Sequence, residues 1–180
     1  MGDKLSVHID LCRKGYSGAF GYIVTEYQQL VYTLSFRLLC NEDDAKDATQ
    51  EAFIRAWRNI SKYKQQYKFS TWIYKITSNV CYDKMRSDRR VSKIDLSDCD
   101  LYSEAGQDDL LNNKELKELI INITKGLTPK QKLVFTLSDL EELEFEEISI
   151  ITGLTPAKIK SNLYLARKYI KSKIANHDKY

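Results

Sequence analysis

Three aspartates give this sequence its first candidate for chemistry. Asp43, Asp44 and Asp47 have the D-D-x-x-D spacing with which isoprenyl synthases hold magnesium. Such enzymes have a second aspartate-rich helix facing the first and a far longer chain, and these 180 residues supply neither. The acids instead suit the first turns of a helix, where the positive end of the helix dipole stabilises carboxylates. The magnesium interpretation is therefore disfavoured, and no metal site or cofactor is expected.

A lysine-bearing loop supplies the second candidate. The stretch SKYKQQYKF contains Tyr63, Tyr67 and Phe69 and has no helical or strand periodicity. Aromatic rings beside cations suit single-stranded nucleic acid, because stacking on a ring contributes about 1–3 kcal/mol per base. These rings could therefore form a pocket for an extruded base. The alternative is that Tyr67 and Phe69 only pin the loop to the core, and it weighs most for Phe69.

A basic helix near the C-terminus is the third candidate. In FEEISIITGLTPAKIKSNLYLARK, a short helix ends at Gly153, and a longer one begins with Thr155 as N-cap and Pro156 in its first turn. This is the helix-turn-helix pattern, whose second helix enters the major groove of DNA. An ordinary amphipathic surface helix is the alternative for this segment taken alone. The candidate DNA-binding residues here are Thr155, Lys158, Lys160, Ser161, Tyr164, Arg167 and Lys168.

Charge is unevenly distributed along the chain, although the formal net charge is only +3. Residues 61–90 hold eight Lys/Arg against two Asp, and residues 148–180 hold seven Lys/Arg against one Asp. Between them, residues 91–112 hold six acids and one lysine. Two basic segments separated by an acidic one indicate two places that meet a polyanion.

The four cysteines and two histidines show neither a metal-binding nor a disulfide pattern. None of the cysteines lies in a C-x-x-C pair, which indicates plain thiols in a reducing cytoplasm. No run approaches the roughly 20 apolar residues of a membrane span, and no secretory signal is visible. We therefore expect a cytoplasmic protein with no stable membrane association of its own.

The elements that must position these side chains are all predicted to be helices. Apolar residues at steps of three and four predict amphipathic helices in AFGYIVTEYQQLVYTLSFRLL, in NEDDAKDATQEAFIRAWRNI and in a third stretch that opens at STW, with Ser70 as N-cap. The third helix has an apolar stripe through Trp72 and Ile76. Its opposite face is basic and aromatic, with Lys75, Asn79, Tyr82, Arg86 and Arg89. Gly and Pro are too few for a chain of short strands, so the prediction is an all-α fold.

The helices fall into two groups. Residues 1–90 form one small helical domain in this interpretation, and residues 113–180 form a second that contains the helix-turn-helix. Inward positions of the last helix are predicted at Ile159, Leu163, Ala166, Ile170 and Ile174. Residues 91–112 join the two domains as an acidic linker.

Three stretches in this order resemble the extracytoplasmic-function (group IV) sigma factors of bacterial RNA polymerase, the smallest members of the primary-sigma family. They are DAKDATQEAFIRAW, FSTWIYKITSNVCYDKMR and EEISIITGLTPAKIKSNLYLARK. The resemblance implies that residues 1–90 are sigma region two, which binds the clamp of core polymerase and recognises and melts the minus-ten promoter element. It implies that residues 113–180 are region four, which recognises the minus-thirty-five element. A protein of this kind is not an enzyme.

The resemblance also implies residue roles and partners. Carried over by motif position, Lys75, Asn79 and Arg86 fall on the melting helix, and Lys160 and Ser161 fall on base-recognition positions. The expected partners are the clamp helices and flap of core RNA polymerase, promoter DNA and an anti-sigma factor. A stand-alone helix-turn-helix repressor or activator is the alternative, and it leaves the Trp-containing basic helix unexplained. Polymerase binding falls on Asp44, Asp47, Gln50, Glu51 and Arg55.

Six positions depart from the family pattern. Ala48 and Thr49 replace larger aliphatic residues in the clamp-binding helix. Asn162 and Leu165 stand where the family usually has cations, so we expect fewer phosphate contacts and a shallower salt dependence. Glu142 and Glu144 stand where the turn before the first helix of the motif usually has Gly and a Ser or Thr cap. The family's usual minus-thirty-five preference therefore does not carry over.

Overall fold

The computed structural model of the chain describes residues 2–91 and 120–177, with side chains described for residues 4–87 and 120–175. The predicted linker at 91–112 lies outside the described residues, apart from the backbone of residue 91.

Every element in the described ranges is helical, which confirms the predicted fold class. The N-terminal part contains α1 (Gly2–Arg13), α2 (Gly18–Leu39), α3 (Glu42–Asn59), a 3₁₀ turn (Ile60–Lys62) and α4 (Phe69–Val91). A helical segment at 120–124 then leads into α5 (Pro129–Phe135), which continues as a π-turn over Thr136–Leu140, and into α6 (Phe145–Thr152) and α7 (Pro156–His177).

The N-terminal helices pack because each has one apolar face. Small residues along α3, among them Ala48 and Ala52, are buried and let it lie close to α2 and α4. Helix α1, which the sequence patterns did not single out, covers α2 with Ile9 and Cys12. The ring of His8 stacks on Tyr22, with 4.1 Å between their centroids.

In the C-terminal part, α7 has the apolar stripe that its sequence predicts. Ile159, Leu163, Ala166 and Ile170 are buried. Ile174 is 44% exposed, so the prediction that it faces inward is wrong. It lies one turn past Ile170, the last buried position of α7, and α7 extends beyond the core there.

The ends of the helices can be compared with the capping residues in the sequence. At Thr128, the side chain accepts the Gln131 N–H and the Gln131 side chain accepts the Thr128 N–H, which is the capping box that the spacing of Thr128 and Gln131 in the sequence predicts. Gly153 ends α6 in the left-handed conformation, with φ of 69°. Helix α4 begins at Phe69 rather than after Ser70, so Ser70 lies in its first turn and not at its N-cap.

Glu142 adopts a left-handed conformation, with φ of 54°, where the family usually has Gly. A residue with a side chain pays roughly 1–2 kcal/mol to adopt this conformation. Gly avoids this cost, but it loses more backbone entropy on folding, which offsets part of the gain. We expect Glu142→Gly to raise the free energy of unfolding by about 0.5–1 kcal/mol, measured by urea denaturation. The same change at Glu146, inside α6, should lower it by about 1 kcal/mol. Destabilisation by both changes would contradict the prediction.

Among the described cysteines, Cys12, Cys40 and Cys81 are free thiols, as predicted. Burial raises the pKa of Cys81 to about 11 and also raises that of Cys12, so both stay protonated at neutral pH. None of the helices in the described ranges is long and apolar enough to cross a membrane.

Candidate nucleic-acid interface

The two helical parts are in contact, and a buried carboxylate joins them. The Glu141 side chain is 9% exposed and lies against α2 and α4. Arg37 Nη1 is 2.7 Å from Glu141 Oε1 and also donates to the Leu140 carbonyl at 2.7 Å. The Tyr74 hydroxyl donates to Glu141 Oε2 at 2.7 Å. Burial and this hydrogen bond raise the pKa of Tyr74, so its hydroxyl remains a donor. We call this set the Glu141 contact.

A second carboxylate, from α6, reaches the loop before α4. Glu147 Oε1 lies 3.2 Å from Lys68 Nζ and 3.2 Å from the Thr71 hydroxyl. The buried residues of both parts also belong to one contiguous apolar cluster. The C-terminal part therefore covers the side of the N-terminal part that carries the loop at residues 63–68.

A cavity of about 160 Å³ opens between this loop, α4 and α6. It brings together three of the predicted minus-ten residues, Tyr63, Tyr67 and Lys75. The sequence patterns missed its other walls, because nothing local to them signals that they converge. Those walls are Lys62, Lys64, Thr71, Trp72 and Ile150.

The loop is held by buried rings and by α1. The Tyr63 hydroxyl donates to the Tyr67 carbonyl at 2.8 Å, and Arg13 donates to the Tyr63 carbonyl. Phe69 is 3% exposed, with its ring centroid 5.1 Å from that of Tyr63 and 5.2 Å from that of Trp72. Phe69 therefore offers no face to a base in this arrangement and positions the loop instead, which was the alternative for this residue. Tyr67 is the exposed ring, at 44%.

The outward face of α4 continues from the cavity. Lys75 lines the cavity, and Asn79 and Arg86 are exposed farther along the helix. The Arg86 guanidinium lies 5.8 Å from the centroid of the half-buried Tyr82 ring. The Arg89 side chain falls outside the described residues. This face thus combines cations with a ring, as expected from its spacing.

Of the predicted polymerase-binding acids, Asp44 and Asp47 form ion pairs with α4, and Glu51 pairs with Arg55 on α3 itself. Lys84 Nζ lies 2.5 Å from Asp44 and 4.0 Å from Asp47. Arg55 lies 2.6 Å from Glu51 and 3.9 Å from Asp83. Lys84 therefore pairs with two of the three aspartates of the D-D-x-x-D motif, and Lys46 pairs with the third, Asp43. Within the described residues no group of three or more His, Cys, Asp or Glu could hold a metal ion. Gln50, between these pairs, is exposed.

The outward face of α7 is free for a partner along most of its length. Thr155 caps the helix by accepting the Lys158 N–H at 3.4 Å. Arg167 differs from the others because it makes two hydrogen bonds of 2.8 Å to Asp139, and these raise its pKa. Leu165, where a cation was expected, is 45% exposed. The exposed predicted residues are Thr155, Lys158, Lys160, Ser161, Tyr164, Arg167 and Lys168.

Comparison with known proteins identifies the family. Residues 23–91 match the family model of sigma-70 region 2, and residues 117–170 match that of sigma-70 region 4. The ECF RNA polymerase sigma factor SigW of Bacillus subtilis is 30% identical over 172 residues, covering 90% of this chain and 92% of SigW. The chain belongs to the ECF sigma factors. The ECF RNA polymerase sigma-E factor of Escherichia coli is 26% identical to this sigma factor over 186 residues, covering 97% of each chain.

Solved structures agree on the fold. CnrH, in complex with the cytosolic domain of CnrY, matches this sigma factor with a TM-score of 0.68 and 16% identity, covering 94% of this chain and 96% of CnrH. The sigma factor RpoE of Bartonella quintana, in complex with the anti-sigma factor NepR, matches with a TM-score of 0.68 and 18% identity, covering 87% and 96%.

The family assignment confirms the function predicted from the sequence. This ECF sigma factor is a DNA-binding regulatory protein that directs promoter-specific transcription. A stand-alone helix-turn-helix repressor does not account for the match of residues 23–91 to region 2.

Proposed function

We propose that this sigma factor, a group IV member of the primary-sigma family, divides its promoter contacts between two domains. Residues 1–90 bind the clamp helices of core polymerase and recognise and melt the minus-ten element. Residues 113–180 bind the polymerase flap and recognise the minus-thirty-five element, and residues 91–112 link the domains. Its partners place it in the cytoplasm, and it supplies recognition rather than catalysis. The observation that carries this proposal is the aromatic and lysine-lined cavity beside α4.

The cavity has the size and lining for one unstacked base. Its volume, about 160 Å³, is close to the roughly 150 Å³ of a cavity that admits a benzene ring. Tyr67 offers an exposed ring for stacking, and Lys62, Lys64 and Lys75 stand around the opening to meet the phosphates. The face formed by Asn79, Tyr82 and Arg86 would then carry the melted strand away along α4.

The outward face of α3 suits a protein partner. Its carboxylates pair with Lys84 and Arg55, and these pairs are largely open to solvent. The side chains of Asp44, Asp47 and Glu51 are each 38–76% exposed. Such exposed pairs contribute about 0–1 kcal/mol, so Asp44, Asp47 and Glu51 can exchange them for contacts with the clamp at little cost. Gln50 and Arg55 complete this surface.

We also propose that an anti-sigma factor controls this protein. CnrH and RpoE were each solved with a second protein, the cytosolic domain of CnrY and NepR respectively. A partner that stabilises the packed arrangement of the two domains would keep the sigma factor from DNA. Binding both promoter elements at once requires the domains to part, because the elements lie about two helical turns, roughly 70 Å, apart.

Run-off transcription with purified core polymerase tests the function as a whole. Adding this sigma factor should create start sites that core polymerase alone does not use, and the two proteins should co-purify. If neither happens, the sigma assignment of this chain fails.

Tyr67→Ala tests the base-binding role of the cavity. Loss of the stacking ring should make promoter opening less favourable by about 1–3 kcal/mol, which lowers the equilibrium constant for opening roughly 5- to 150-fold. Clamp binding should be unchanged. Permanganate footprinting measures opening, and co-purification measures clamp binding. Tyr16→Ala is the matched control, because Tyr16 is 62% exposed and lies in the turn between α1 and α2. If the Tyr67→Ala variant opens a closed duplex as fully as wild type, Tyr67 does not have the proposed base-binding role.

A further inference from the structure

Glu147 lies on the rim of the cavity rather than elsewhere on the domain interface. Its carboxylate oxygen Oε1 is 3.2 Å from both Lys68 Nζ and the Thr71 hydroxyl. Lys68 directly follows Tyr67, and Thr71 itself lines the cavity. Ile150, one turn farther along α6, forms the wall contributed by the C-terminal domain. One face of α6 therefore places Glu147 on the rim of the cavity and Ile150 in its wall.

The two donors that hold Glu147 are those that a DNA phosphate would use. An ammonium and a hydroxyl converge on one anionic oxygen, which is the common pattern of protein contacts to phosphate oxygens. Thr71 also lies in the first turn of α4, where the helix dipole favours an anion. A base held in the cavity carries its own phosphates to the rim, so a nucleotide chain would reach these donors.

We propose that Lys68 and Thr71 are the phosphate-binding pair of the minus-ten site, and that Glu147 occupies them in the free chain as an internal phosphate mimic. This inference rests on the proposed function, since it takes the cavity as the base pocket. Single-stranded DNA and α6 then compete for the same two donors. Minus-ten binding therefore requires α6 to leave the rim, and the C-terminal domain restrains the N-terminal one until it does.

The Glu147 pair is suited to competition rather than to holding the domains together. The Lys68 side chain is 75% exposed, and an exposed ion pair contributes little. The Glu141 contact is more buried, with 9% of its carboxylate side chain exposed, and is the stronger of the two carboxylate contacts between the domains. Glu147 can therefore yield to a phosphate once the domains begin to part.

Fluorescence anisotropy with a short, labelled, random-sequence single-stranded DNA tests the inference on the full chain. Glu147→Gln removes the mimic and should tighten binding about two- to five-fold, because the apparent affinity rises with the fraction of open molecules. Glu146→Gln is the matched control. Glu146 neighbours Glu147, is exposed and forms no ion pair with the described residues, and its replacement makes the same change in charge. It should leave binding within experimental error of wild type.

A second pair of variants tests the donors. Lys68→Ala and Thr71→Val should each weaken binding. Glu147→Gln should have a smaller effect when added to Lys68→Ala, because Thr71 alone then holds Glu147, and none when added to the variant that lacks both donors. Equal affinities of the Glu147→Gln and Glu146→Gln variants would overturn the inference, as would a gain from Glu147→Gln that is undiminished when both Lys68 and Thr71 are replaced. Circular dichroism shows whether each variant is folded. These results do not bear on run-off transcription, so this inference can fail while the proposed function stands.

Discussion

Replacing Glu141 by Ala should separate the two domains of the free sigma factor. Glu141 is the most buried of the interdomain carboxylates, with 9% of its side chain exposed, and it accepts hydrogen bonds from both Arg37 and Tyr74. Its removal leaves the Tyr74 hydroxyl without this partner, and among the described residues it leaves the Arg37 guanidinium with only the Leu140 carbonyl. Losing one partner of a fully buried ion pair costs about 3–5 kcal/mol.

The expected cost here is smaller, because the Arg37 side chain is 28% exposed and water can reach it. Removing Glu141 should destabilise the closed arrangement by about 2 kcal/mol, which raises the ratio of open to closed molecules roughly thirty-fold. Small-angle X-ray scattering should then show a larger radius of gyration, and energy transfer between dyes on the two domains should fall. Tyr74→Phe removes one hydrogen bond only and should have a smaller effect, of about 1 kcal/mol.

Glu144→Ala is the control for the Glu141 variant. Glu144 lies three residues away, is exposed, and makes no side-chain hydrogen bond at the N-cap of α6. The same loss of charge there should leave the scattering profile unchanged. An unchanged profile for a folded Glu141→Ala protein would mean that the Glu141 contact is not needed to hold the domains together.

The glutamates at 141–147 show where the family pattern stops being informative. Glu142 and Glu144 stand out in the sequence because they depart from the pattern, yet neither side chain joins the domains. Glu141 and Glu147 do join them, and nothing in their local sequence distinguishes them from the other glutamates. Their partners lie far away along the chain, from Arg37 to Tyr74. Only the folded arrangement selects which acids face the N-terminal domain.

The same limit separates the parts of the site that the sequence could predict from those that it could not. Four of the five inward residues predicted for α7, the capping box at Thr128 and the left-handed Gly153 depend on neighbours within about one helical turn, and these are present. The composition of the loop predicted aromatic rings near the cavity, but it could not show which ring turns inward. Phe69 does, and Tyr67 does not. The anchoring of the loop by Arg13 required α1, whose packing no motif indicated.

The second large effect is expected at Lys160 on α7. Lys160 is exposed, lies one turn after Pro156, and forms no ion pair with any residue that the structure describes. Unlike Arg167, which Asp139 holds through two hydrogen bonds, it is free to enter the major groove. A base contact made there is worth about 1–3 kcal/mol, so Lys160→Ala should lower transcription from a double-stranded promoter by roughly 5- to 150-fold.

The choice of template separates this role from a general loss of charge. On a pre-melted template that carries only the minus-ten element, Lys160→Ala should be nearly as active as wild type, because α7 has no site to bind there. Lys130→Ala removes the same charge from the first turn of α5, in the same domain. It should change transcription little on either the double-stranded promoter or the pre-melted template. Equal losses on both templates would place Lys160 outside the minus-thirty-five contact. Asn162 and Leu165 supply no cation beside Lys160, and the remaining cations, among them Lys158 and Lys168, lie at other positions along the helix, so they cannot replace a base contact made by Lys160.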